Sequence, residues 1–289
     1  EEEAVNSSIH PDTAMGTISL TVKNLDRSLD FYQQGLGLSL QRRGDGVAYL
    51  GAGGEDLLKL VEQPDARRVH GTTGLYHFAL LVPSRLQLAH SLKHIIETET
   101  PVQGFADHGV SEAIYLSDPD GNGIEIYRDL PRDRWPLVNG QLQMVTDPLD
   151  LDNLLSELNQ NGGPRTDLHP GTVIGHVHLH VRDTTAAETF YADVLGFDVM
   201  QRFGRSASFL SAGGYHHHLG ANTWAGVNAP PPPEDALGLR WYSINLPDDT
   251  ALRSVVDRVR RAGITIQGSQ EGLFLRDPSG NGIRLAAKY

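Results

Sequence analysis

Glu125 ends the tract S-D-P-D-G-N-G-I-E over 117–125, and a near-copy, R-D-P-S-G-N-G-I-R over 276–284, places Arg284 at the same point. A carboxylate can bind a metal ion, whereas a guanidinium, which only donates hydrogen bonds, cannot. His77 diverges in the same way: it shares a strand face with Ala79 and Leu81, and Trp241 takes the corresponding place in the second half. The paired loss of an imidazole and a carboxylate is the pattern a dismantled metal site leaves. A third ligand should come from the first strand of a neighbouring unit, where the first half offers Thr17, a poor ligand, and the second half offers His176. His176, His178 and His180 lie on one strand face, successive ones about 6.6 Å apart, so only one can serve a given ion. The other two are expected to line the sheet or to hydrogen-bond within the core.

The elements that must carry these groups repeat. Gly16 to Val22 lines up with Gly175 to Val181, Phe31-Tyr32 with Phe190-Tyr191, and Leu36-Gly37-Leu38 with Leu195-Gly196-Phe197, all at the displacement that separates Asp118 from Asp277. Within the first copy, 16–22 alternates as a half-buried strand, Leu25 to Gln34 has helical spacing, and 47–51 and 57–61 are β-like. The unit then restarts with a strand over Leu75–Val82, a helix over Leu86–Ile96, and strands over Ala113–Leu116 and Gly123–Tyr127 joined by a Gly- and Asn-rich turn. The pattern predicts an α+β fold of four βαβββ modules in two tandem copies. A tail spans 1–13, the first copy 14–130 with modules one and two, and the second copy 172–289 with modules three and four. Between them, 131–171 reads as a Pro- and Gly-punctuated linker, Gly162-Gly163-Pro164 included, with one short helix near Leu149–Leu158. Pro230–Pro233 reads as a stiff surface loop.

The chain's 289 residues, 39% of them hydrophobic, suffice for two globular units, and disordered or collagen-like classes are excluded. A net charge of −12 argues against nucleic-acid and anionic-membrane partners. With no cysteine, disulfides, thiolate metal sites and cysteine nucleophiles are ruled out, which leaves the carboxylates and the thirteen histidines, clustered at 176–180 and 216–218. The first residues carry no apolar run of signal or anchor type, so a cytoplasmic location is expected.

The stretch from His108 through Ile114-Tyr115, Asp118-Pro119 and Gly121 to Glu125 resembles the signature of extradiol ring-cleavage dioxygenases, and Ala106 is a small departure from it. With Gly175-His176-Val177 and Gly214-Tyr215-His216-His217-His218, the chain is similar over about 14–130 and 172–289 to two-copy bacterial catechol 2,3-dioxygenases. These enzymes belong to the vicinal oxygen chelate superfamily, which includes glyoxalase I. The resemblance implies Fe(II), or Mn(II), held by His77, Glu125 and His176. It also implies catalytic roles for His108 and Tyr115 beside the substrate and for His217 as acid and base, with His216 and His218 as neighbours that could take that place. A small aromatic diol and O₂ would be the substrates, ring cleavage outside the hydroxyl-bearing carbons the reaction, and a homo-oligomer the assembly. Because the strand-one histidine follows the glutamate in sequence, modules two and three must pair across the linker and modules one and four must pair without a metal. Phe78, Phe105, Tyr127 and Trp224 are candidates for an aromatic wall. Two other readings fit the scaffold: a glyoxalase-type isomerase, which would want a fourth protein ligand, and a binding protein without catalysis.

Overall fold

The computed structural model describes residues 8–161 and 166–288, so the Gly162-Gly163-Pro164 tract and most of the predicted tail lie outside the described residues. Module one consists of β1 (Ala14–Val22), α1 (Leu25–Asp30), β2 (Ser39–Gly44), β3 (Val47–Gly51) and β4 (Asp56–Glu62). Module two consists of β5 (Gly74–Leu81), α2 (Arg85–Glu97), β6 (Val102–Asp107), β7 (Ser111–Ser117) and β8 (Gly123–Asp129). The connection carries a small hairpin of β9 (Leu137–Val138) and β10 (Gln141–Leu142), then α3 (Leu151–Asn161), two or three residues later than its spacing predicts. Module three is β11 (Val173–His180), α4 (Thr184–Glu188), β12 (Asp198–Phe203), β13 (Ala207–Ser211) and β14 (Leu219–Asn222). Module four is β15 (Gly238–Leu246), α5 (Asp249–Arg261), β16 (Gln267–Ser269), β17 (Gly272–Arg276) and β18 (Gly282–Ala287).

Two eight-stranded sheets form, and each takes one module from each half. One runs β16-β17-β18-β15-β1-β4-β3-β2 and the other β12-β13-β14-β11-β5-β8-β7-β6. The seams are the antiparallel pairs β1–β15 and β5–β11, so modules one and four share a sheet, as do modules two and three. Side-chain alternation dictates what each face carries. In β11, Val177 and Leu179 face the common core while His176 and His178 face the hollow of the sheet. In β5, Phe78 and Leu80 go inward; in β8, Ile124 and Ile126 do the same. These apolar side chains are all fully buried, and each contributes about 1.5–3 kcal/mol of transfer free energy on folding.

The predicted helix over 25–34 splits. After α1 the backbone widens into a π-type turn, Phe31–Gly35, and the second copy does the same at Thr189–Val194. The wide turns carry Tyr32 and Tyr191, whose buried hydroxyls donate to Asp118 Oδ2 and Asp277 Oδ2, both at 2.9 Å. Each aspartate also accepts the side-chain amide of its turn, from Asn122 at 2.8 Å and from Asn281 at 2.9 Å. These clasps tie module one to two and module three to four, crosswise to the sheet pairings. Burial, then the facing Asp118, holds the Tyr32 phenol well above its ordinary range, so it remains a donor. Among the described residues, no helix is long and apolar enough to cross a membrane.

Candidate metal centre and its cavity

Three strands aim three donors at one point. Ala79 on β5 stands opposite Glu125 on β8 and opposite His176 on β11, and His77 lies two residues along β5 on the same face. The alanine methyl leaves space where a longer side chain would fill the hollow. His77 Nε2 lies 3.1 Å and His176 Nε2 3.0 Å from the same Glu125 oxygen, and the two nitrogens are 3.3 Å apart. All three side chains are buried. Backbone fit helps set this geometry, because a Cβ on Gly175 would fall 1.8 Å from the Tyr127 hydroxyl.

The triangle has the dimensions of one face of an octahedron. Three O/N donors about 2.1 Å from a divalent ion and mutually at right angles are about 3.0 Å apart. Burial alone would push the Glu125 carboxyl up, but the His176 and His77 rings on one oxygen outweigh it and hold it well below the usual carboxylate range. Burial lowers His77, only partly offset by Glu125, which favours the neutral imidazole a metal requires. The donor set fits a divalent cation, with two imidazoles and a carboxylate as ligands.

The remaining expected residues surround a cavity of about 350 Å³ that opens onto this triad. His108, Tyr115, His178 and His217 line it, with Tyr76, Phe209 and Trp224 on one side. The Tyr115 hydroxyl is 2.7 Å from His108 Nε2, and His108 Nδ1 is 2.7 Å from the Val145 carbonyl. A carbonyl only accepts, so Nδ1 carries the proton of a neutral His108, and Nε2 accepts from Tyr115. Burial, then Glu125, raises the Tyr115 phenol well above its ordinary range.

The histidine triplet precedes β14 and lies in irregular backbone, so two-face alternation does not order its side chains. His217 faces the cavity, His216 turns to Asp129 (2.9 Å), and the Nδ1 of His218 accepts from the Ala212 backbone N–H (3.1 Å). His180 pairs with Asn222 at 2.8 Å, the hydrogen-bonded role expected for it. His178 sits in the cavity wall, and its buried Nε2 has no hydrogen-bond partner among the described residues. It fits because β14 carries Gly220, whose Cβ would lie 2.6 Å from the His178 ring.

The aromatic wall needs correcting. Trp224 lines the cavity, but Phe78 and Phe105 pack into the main core on the opposite strand face, and Tyr127 is sealed behind His176. A second departure is the linker. Met144, Val145 and Thr146 form part of the cavity wall, held as a strap by paired backbone bonds between Asp107 and Asp147 and by Gln201, whose Oε1 accepts from Met144 N at 2.6 Å. An apolar run inside a proline-punctuated connection was the available signal. Asp129 was legible by parity, since Glu125, Tyr127 and Asp129 alternate onto one face of β8.

Comparisons with known proteins agree with this architecture. The model of the Glyoxalase/Bleomycin resistance protein/Dioxygenase superfamily matches twice, over residues 14–126 and 173–285. The chain is 45% identical over 277 residues to a catechol-2,3-dioxygenase of Bacillus subtilis (strain 168), covering 94% of this chain and 96% of that protein. A lactoylglutathione lyase of Neisseria meningitidis is 32% identical over 115 residues, 37% of this chain and 83% of its own length. The crystal structure of glyoxalase I from Zea mays superposes with a TM-score of 0.57 at 16% identity, covering 95% of this chain and 92% of that one, a likeness of fold alone.

Proposed function

Since the chain belongs to the Glyoxalase/Bleomycin resistance protein/Dioxygenase superfamily, we propose that it is an extradiol ring-cleavage dioxygenase that inserts both atoms of O₂ into a catechol-type diol. The product would be of the 2-hydroxymuconic-semialdehyde type. The observation that carries this reading is the triangle of His77, Glu125 and His176 opening onto a cavity bounded by His108, Tyr115 and His217. The near-full-length likeness to a catechol-2,3-dioxygenase supports it. Those three ligands would hold Fe(II), with Mn(II) as the hard-ligand alternative; bound in such a triad, the ion supplies the electron transfer that dioxygen chemistry needs and keeps positions open for small ligands.

The chain's own residues bind, orient and move protons. His217, which lines the cavity, takes a proton from the diol in this reading, the role of a general base beside the reacting oxygens. Tyr115 remains a protonated phenol with one O–H, so it serves a substrate oxygen by turning that hydroxyl away from His108 Nε2, while His108, fixed through Nδ1 to the Val145 carbonyl, holds the hydroxyl at the cavity until substrate binds. The strap and the wall of Phe209 and Trp224 meet the ring. Among the described residues no lysine or arginine side chain lines the cavity, and its aromatic and aliphatic lining favours uncharged ring substituents. The isomerase reading would leave His108, Tyr115 and His217 without a task.

The test is anaerobic loading with Fe(II), then catechol and air. A yellow ring-fission product supports the proposal. Turnover of a glutathione hemithioacetal without ring cleavage would replace it with the isomerase.

A further inference from the structure

His216 and Asp129 lie outside the cavity, yet they meet the cavity's histidine from behind. His216 is fully buried; its Nε2 is 2.9 Å from Asp129 Oδ1, and its Nδ1 is 2.8 Å from the Nδ1 of His217. The same carboxylate accepts from the Tyr215 hydroxyl at 3.0 and 3.1 Å, and the Tyr127 and Tyr215 oxygens are 2.7 Å apart. The Trp135 ring packs against His216 with centroids 5.4 Å apart.

The proton positions follow in order. An ionised carboxylate only accepts, so the His216 nitrogen facing Asp129 carries a proton. With a single N–H on its imidazole, committed to Asp129, His216 presents its other nitrogen bare and accepts from His217 there. His217 then keeps its proton on Nδ1, which leaves Nε2 as a lone pair for the cavity. Tyr215 donates to Asp129, so the shorter tyrosine contact is a donation from Tyr127, and this carboxylate is committed from two directions. We propose that Asp129, acting through His216, is a positioning residue that fixes the ring tautomer of His217 and so leaves its cavity-facing nitrogen, Nε2, bare to take a proton from the diol. The inference rests on the reading of His217 as the proton acceptor in ring cleavage.

The test uses the full-length Fe(II)-loaded enzyme and two readouts. One is the split of kcat and KM for catechol. The other is anaerobic absorbance of bound 4-nitrocatechol, whose colour reports the number of protons lost. His216→Leu removes the acceptor and is expected to lower kcat about 10- to 100-fold with KM within about 3-fold, part of what general acid–base catalysis supplies. His216→Asn keeps an acceptor oxygen one bond from Cγ, where Nδ1 sits, and should recover kcat to within about 5-fold of the starting enzyme. Asp129→Ala should fall with His216→Leu, and both should bind nitrocatechol with a larger monoanion share. Equal losses in the Leu and Asn variants, or unchanged kcat and colour in Asp129→Ala, would overturn the relay. Should the leucine variant fail to fold, Asp129→Ala against His216→Asn carries the same contrast. If the unaltered enzyme produces no ring-fission product, the dioxygenase reading fails instead, and the nitrocatechol readout still decides whether the pair sets the His217 nitrogen.

Discussion

The hollow between modules two and three and the hollow between modules one and four are built on one backbone plan and hold opposite chemistry. Where the first places Glu125, the second places Arg284, which donates to the Glu271 carbonyl and to Ser243 Oγ (3.2 Å) and lies 5.7 Å over the Trp241 ring. Strand register equates His178 with Ser19 and Gly220 with Lys59. A bulky side chain over a glycine in one hollow is thus a small one beside a lysine in the other. Lys59 bonds Glu271 at 2.6 Å, and the second hollow is closed by this ion pair and by Lys59 and Arg284 stacked on the Trp241 ring. The comparison shows that the main chain does not make the site; a few side chains whose charge and volume change together do.

The largest effect should come from carrying that difference into the active hollow. Glu125→Gln keeps the shape but removes the charge, and is expected to abolish stoichiometric metal and lower activity by at least about 10³-fold, as checked by elemental analysis and turnover. The reverse experiment sharpens the point: Thr17→His, Trp241→His and Arg284→Glu together should not add a second metal equivalent until Lys59→Gly is included. A second equivalent in the triple variant would mean that Lys59 is no barrier.

A smaller effect concerns volume. Gly220→Ala would drive a methyl into the His178 ring, costing about 1–3 kcal/mol by overpacking and raising KM for catechol, whereas Lys59→Ala in the other hollow should leave KM unchanged. Chemical denaturation and steady-state rates separate these outcomes.

His218 makes stability pH-dependent. Burial, then His216, depresses it from the ordinary imidazole value of 6.5 to about 3, so between those values the unfolded chain binds a proton the folded one refuses, and stability falls as pH falls. The metal-free protein should lose about 2 kcal/mol from this group between pH 7 and pH 5. Urea unfolding at the two pH values would show it, and His218→Asn should flatten the slope.

The clasps differ by one hydroxyl: Tyr191 also meets the buried Tyr242 hydroxyl at 2.8 Å, where the first copy carries Phe78. Tyr32→Phe leaves a buried aspartate short of one donor and should cost about 1–3 kcal/mol, and Tyr191→Phe, which also strips Tyr242 of a partner, should cost more. Equal melting shifts for the two variants would show that the Tyr242 contact adds nothing.

Much of this was legible in the residues. Repeated G-N-G turns set the copies in register, and the order of Glu125 before His176 demanded that strands from different halves share a sheet. Strand alternation placed His77 and Glu125 on one face because a two-residue period follows from backbone geometry alone. The strap at Met144–Thr146 was hidden because a connection's path depends on tertiary contacts such as that of Gln201, and spacing does not encode them. The roles within the histidine triplet were hidden for a related reason: the segment is irregular, and only a carboxylate 87 residues earlier in the chain distinguishes His216 from His217.

The crosswise pairing of modules has a consequence for the history and handling of the chain. Two separate copies of a single half, joined as a twofold dimer, would build two identical hollows, and any substitution would alter both at once. Covalent fusion removes that symmetry and lets one hollow become scaffold while the other keeps its ligands. By the same logic, a cut between the halves yields fragments that each lack a necessary ligand, and only reassembly of the unlike pieces can restore the triad.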